Sequence, residues 1–86
     1  MALQVSLVSA EAELWSGEAK LVVATTTEGQ IGFMTGHEPV LAILGDGPVR
    51  ITREDDSVVE ATAADGFVSV EADRVTIVAG RAALAA

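Results

Sequence analysis

The stretch Glu28-Gly29-Gln30-Ile31-Gly32-Phe33-Met34-Thr35-Gly36-His37-Glu38-Pro39-Val40-Leu41-Ala42-Ile43-Leu44 decides how the chain is read. Its first half holds three glycines, and Pro39 then opens an apolar run. Glycines this dense mark a backbone that turns tightly, takes positive φ, or comes close to another surface. Ile31 to Met34 is long enough for only one or two pairs of a ladder. Val40 to Leu44, bounded by Pro39 and Gly45, reads as a strand because five residues are too few for a stable helix.

Short alternating segments lie on both sides. Leu3 to Ser9 places Leu3, Val5 and Leu7 on one face and Gln4 and Ser6 on the other, the period of a half-buried strand. Gly17, after Leu14-Trp15-Ser16, marks a bulge or bend. Ala19 to Ala24 is nearly continuous apolar sequence and reads as a strand buried on both faces. Gly45-Asp46-Gly47-Pro48 is a strong turn signal. Val49 to Arg53 and Val58 to Ala63 form a hairpin across the charged turn Glu54-Asp55-Asp56-Ser57. Asp65-Gly66 signals another turn or bulge. Phe67 to Val70 and Arg74 to Val78 form a second hairpin. The Ala-rich tail after residue 79 has high helix propensity but is too short to be stable alone. The expected fold is all-β, an antiparallel β-sandwich or flattened barrel of about ten short strands. The domain is expected over residues 1–79, with residues 80–86 as a tail that starts a helix.

Composition narrows the function. The chain has 86 residues and a net charge of −8, from 13 acids against five bases. That excess argues against nucleic acid, which needs clustered Lys and Arg, and against adhesion to an anionic membrane. No apolar run approaches the ~20 residues of a membrane-spanning helix. There is no cysteine, which removes disulfides and thiolate metal sites.

The candidate chemical groups are sparse. His37 is the single histidine, with no nucleophile beside it, so it reads as a turn residue bonded to backbone or facing a partner. Zinc generally needs several His or Cys ligands. Glu54, Asp55 and Asp56 lack the spacing and glycine of a calcium loop and read as a solvated hairpin tip. Trp15 has no aromatic neighbour in sequence and reads as core or edge cover. The spacing of Gly29, Gly32 and Gly36 is neither a dinucleotide fingerprint nor a phosphate loop. No base lies between Lys20 and Arg50, so these glycines suit turns meeting another protein. A carrier domain with a modified lysine is disfavoured because Lys20, the only lysine, falls in the strand Ala19 to Ala24. A small hydrolase or cupin-like enzyme is disfavoured by the lone histidine.

Ile31-Gly32-Phe33-Met34-Thr35-Gly36-His37-Glu38-Pro39-Val40 resembles the pattern I-G-[apolar]-[apolar]-P-G-H-A-P-L of the epsilon subunits of F-type ATP synthases, called delta in mitochondria. Val8-Ser9-Ala10-Glu11 with Leu14-Trp15-Ser16-Gly17-Glu18-Ala19, then Pro48-Val49-Arg50-Ile51, resemble further family segments in the right order. So do Asp65 to Val70 and Arg74 to Ala79. The resemblance covers residues 3 to 79. It implies two five-stranded sheets and a non-catalytic place in the central stalk, with no cofactor. The partners would be the gamma subunit and the ring of c subunits. The complex would sit peripherally at the cytoplasmic face of a bacterial plasma membrane. Glu28, Gln30, Ile31, Thr35, His37 and Glu38 would meet the c-ring. Val40, Leu41 and Ile43 would face gamma or else the sandwich interior. Thr35 departs from the family's proline, which loosens the loop backbone. The family's helical hairpin is not present after Ala86, so this polypeptide is expected to lack hairpin-type inhibition and ATP binding. Without its partners, the isolated chain has exposed edges that leave room for weak self-association.

Overall fold

The computed structural model describes residues 2–85, so Met1 and Ala86, the outermost residues of the expected domain and tail, lie outside the described residues. Seven strands make up the described chain: β1 (Leu3–Ser9), β2 (Glu13–Ala19), β3 (Leu21–Thr26), β4 (Gly29–Phe33), β5 (Val40–Thr52), β6 (Val58–Glu71) and β7 (Arg74–Leu84). They form one hydrogen-bonded sheet in the order β2-β1-β7-β6-β5-β3-β4. The all-β expectation holds. The described residues form fewer strands than the expected ten in part because two turn signals are bends inside long strands. Gly45-Asp46-Gly47-Pro48 lies within β5, and Asp65-Gly66 lies within β6. Their ladder opens between Ile43↔Phe67 and Gly47↔Ala63, then resumes in the same register. The sheet is also mixed: β1 runs parallel to β7, pairing Val5 with Val75 and Leu7 with Ile77.

Glycines let the bends happen. A Cβ on Gly66 would lie 1.8 Å from the Val78 carbonyl oxygen, and one on Gly45 would lie 2.8 Å from that of Thr26. Strand backbones approach here more closely than any side chain permits. Beside Gly45, the β3–β5 register shifts between Ala24 and Thr26, a bulge that the Thr25 hydroxyl closes by donating to the Pro48 carbonyl at 2.9 Å.

The bends bring both arms of the sheet onto one core. Leu3, Leu7, Val75 and Ile77 from one arm join Val22, Phe33, Val49 and Ile51 from the other in a single buried cluster. Phe33 is the largest fully buried side chain. Trp15 packs against the edge of this cluster, and its indole lies over Gly17, where a Cβ would come within 3.1 Å of the ring.

Two local expectations change. Lys20 is not inside a strand. It forms the bend between β2 and β3, its amide donates to the Thr52 carbonyl at 2.9 Å, and its ammonium pairs with Asp56. The tail is not helical either: Arg81 to Leu84 continue β7 and pair with Ala61 to Ala64. Small side chains on both strands allow close pairing there, and that pairing outweighs alanine's helix propensity.

Candidate functional site

The segment between β4 and β5, Met34 to Pro39, crosses from one arm of the sheet to the other. Four contacts hold it. The Met34 carbonyl accepts from the His37 amide at 3.2 Å, closing a turn in which Gly36 has φ +85°. The Gly36 amide donates to Oδ1 of Asp73 at 2.7 Å. The His37 ring stands edge-on to buried Phe33, centroids 5.1 Å apart, while its Nδ1 bonds the Glu38 carbonyl at 2.8 Å. With Nδ1 engaged by backbone, His37 is a turn residue, as its isolation in sequence predicted.

Asp73 belongs to the β6–β7 hairpin. Ala72 and Asp73 connect Glu71 to Arg74 with φ values of 50° and 61°, the positive pair a tight two-residue turn needs. The Asp73 carbonyl also accepts from the Gln4 amide at 2.8 Å. One residue therefore ties the loop, the hairpin and the start of β1 together.

The residues expected at the c-ring do not form one cluster. Glu28 lies in the β3–β4 turn, while Thr35, His37 and Glu38 lie in the loop at the other end of β4. Four strand steps, ~13 Å, separate the two ends. Gln30 is exposed on β4, which is an edge strand, whereas Ile31 is half-buried against the core. The set traces one border of the sheet: turn, edge strand, loop. Among the described residues, the ion pairs Lys20–Asp56, Arg50–Glu60 (3.3 Å) and Arg81–Asp65 (3.0 Å) do not involve Glu28 or Glu38.

The residues expected at gamma divide by strand alternation. Leu41 is 74% exposed and Ile43 60% exposed, while Val40 turns the other way and packs against the core. The outer face they share is graded. Ile43, Phe67, Val78 and Val8 stand side by side across β5, β6, β7 and β1. The next row is Leu41, Ser69, Thr76, Ser6 and Ser16. The third row is Glu71, Arg74, Gln4 and Glu18, and Gln4 donates to Glu18 at 3.0 Å. Sequence reasoning missed Phe67, 39% exposed, as a surface residue. The signal was available, because Phe67 alternates with Val68 and Val70, which are buried.

Residues 2–85 match the family model described as ATP synthase, Delta/Epsilon chain, beta-sandwich domain. The chain belongs to the ATP synthase delta/epsilon family. Among relatives of this domain, the ATP synthase epsilon chain of Streptomyces coelicolor is 48% identical over 77 residues, 90% of this chain and 62% of that one. The chain thus spans less than two thirds of that relative's length. The epsilon chain of Micrococcus luteus is 49% identical over 82 residues, 95% of this chain and 90% of that one. A chain of the mitochondrial ATP synthase of Euglena gracilis superposes with a TM-score of 0.90 at 20% identity, over 96% of this chain and 53% of that one, which shows the shared fold.

Proposed function

We propose that this delta/epsilon-family domain is a non-catalytic rotor subunit of a proton-translocating ATP synthase, coupling the gamma subunit to the c-ring at the cytoplasmic face of the membrane. One observation carries the reading: a rigidly tied loop border and an apolar sheet face occur on the same family domain. The graded face carries its apolar row on the side of Ile43 and Phe67, suited to a protein partner. Leu41, Ile43 and Phe67 contact gamma in this reading, and Val40 supports them from the core side. Gln30, Thr35, His37 and Glu38, with Glu28 at the far turn, meet the polar loops of the ring, and Ile31 braces β4 beneath them. In this reading the bends in β5 and β6, with β7 following β6 through the break in their ladder between Ala64↔Arg81 and Gly66↔Ala79, fold the sheet into two five-stranded layers. Packed branched side chains then make the domain stiff enough to pass torque without slip.

Co-purification with gamma from the same source tests this. A stable one-to-one complex by size exclusion and native mass spectrometry is expected. Ile43→Asp and Phe67→Asp should each weaken it about tenfold or more, because each puts a charge in a buried apolar contact. A cysteine at position 35 should cross-link to the c-ring in the assembled synthase, and one at Thr62, on β6 away from this border, should not. Failure to bind gamma at low and moderate salt overturns the reading.

A further inference from the structure

The first half of β5 pairs on one side only. Val40 to Ile43 are laddered to Val70, Ser69, Val68 and Phe67 of β6. On the opposite side, β3 reaches β5 only from Leu44 onward, and a single bond from the Thr27 amide to the Ile43 carbonyl closes the corner. The outward backbone groups of residues 40–42 have no partner strand among the described residues. Proteins commonly guard such an edge with a lysine, a proline or a bulge inside it. Here the edge carries Leu41 and Ile43 and no charge, and Pro39 stands before it. An open groove of about 400 Å³, lined by Pro39, Val40, Leu41, Ser69, Val70 and Glu71, lies over the paired ends of β5 and β6 next to this edge.

From this edge we propose that Val40–Ile43 is a docking edge that takes an extended segment of a different protein as an added strand. The segment carries apolar side chains beside Leu41 and Ile43 and a basic residue beside Glu38. The chemistry of the edge argues against a second copy of this chain. Antiparallel self-pairing that sets Leu41 against Ile43 in both directions also sets Val40 of one copy against Leu44 of the other, on the side where β3 already pairs with Leu44, so each copy's loop before Val40 meets the other's β3. Shifting the register to relieve this leaves one of the two apolar pairs unmade. Each copy also adds a net charge of −8, so two copies repel one another. A basic partner segment gains from the Glu38 carboxylate and from the net negative charge that repels a second copy. Backbone hydrogen bonds would supply much of the affinity, with Leu41 and Ile43 setting which side chains fit.

The partner's identity rests on the rotor reading, which supplies gamma as the protein to test. Hydrogen exchange is measured on the free chain and on its complex with gamma. In the free chain, alternate amides of Val40–Ile43 exchange fast because they point away from β6; in the complex they are expected to slow by tenfold or more, to about the level of ladder amides. Leu41→Lys, a charge at an exposed position that leaves the fold intact, should weaken the complex by about tenfold or more. A complex that forms while those amides stay fast overturns edge pairing and leaves the rotor reading standing, with gamma on the sheet face instead. No complex at all overturns both. A concentration-dependent dimer of the free chain with the same amides slowed overturns the argument against self-pairing.

Discussion

Gly36 and Asp73 lie 37 residues apart in sequence and meet through one hydrogen bond, from the Gly36 amide to the Asp73 carboxylate at 2.7 Å. The loop that the family pattern marks is therefore anchored to the β6–β7 hairpin, and through the Asp73 carbonyl to β1. Asp73→Ala should lower stability by about 1–2 kcal/mol, from the lost charge-assisted bond and from a Cβ residue lacking a local hydrogen bond at φ 61°. Asp73→Gly removes the backbone strain but not the loss of the acceptor. It should recover most of the stability while the Gly36 amide still exchanges faster than in the parent. Urea denaturation and amide exchange separate the two effects, and an unchanged Gly36 amide in Asp73→Gly would remove the anchor from the account.

Phe33 is buried to 0% exposure and its ring faces His37. Phe33→Ala should cost about 3–5 kcal/mol. That is a large share of the ~5–15 kcal/mol that holds a small domain together. Phe33→Leu should cost much less and keep the fold. The ring protons of His37 should shift in both variants, because the aromatic edge contact is gone. A His37 spectrum identical to the parent's would mean the two rings do not meet in solution.

Gly66 and Gly29 should respond differently to alanine. At Gly66 a Cβ would sit 1.8 Å from the Val78 carbonyl oxygen and 2.7 Å from the Ala79 Cα, both backbone atoms that cannot swing aside. Gly66→Ala should be too unstable to give a cooperative thermal transition at the parent's temperature. Gly29 has open space around it but φ +114°, so Gly29→Ala should cost only ~1–3 kcal/mol of backbone strain. Parallel thermal melts check the ranking, and equal losses would contradict the close approach at Gly66.

The charged hairpin tip should titrate in two predictable directions. Asp55 accepts from the Ser57 hydroxyl at 2.6 Å and the Ser57 amide at 3.0 Å. These bonds, and more weakly Arg53, hold its carboxyl below its ordinary value of 3.8. Its contribution to stability is present above that value and is lost as pH falls through the folded pKa. Lys20, bonded to Asp56, is raised above 10.5, so its contribution is present below that value and is lost as pH rises through the folded pKa. By NMR titration, Ser57→Ala should move the Asp55 midpoint up, and Asp56→Asn should move the Lys20 midpoint down. Both groups are solvent-exposed, so the effect on overall stability should be small. An Asp55 midpoint that stays put in Ser57→Ala would assign the shift elsewhere.

Much of this protein was legible in one dimension. Period-two alternation in Leu3–Ser9 and Val49–Arg53 was enough to predict strands and their buried faces, because adjacent side chains on a strand must point to opposite sides. The segment Ile31 to Val40 carried the family, and the isolation of His37 already spoke against acid–base chemistry. Other features needed the third dimension. Whether Gly45–Pro48 and Asp65–Gly66 ended strands or bent them depended on a neighbour close enough to continue the ladder. The helix propensity of the alanine tail lost to pairing with Ala61–Ala64, a partner about twenty residues away. The bond between Gly36 and Asp73, the separation of Glu28 from Glu38 and the open edge at Val40–Ile43 are all relations between segments distant in sequence. Local pattern fixes which way a side chain points on its strand, but only the packed sheet decides what stands opposite it and which edges are left without a neighbour.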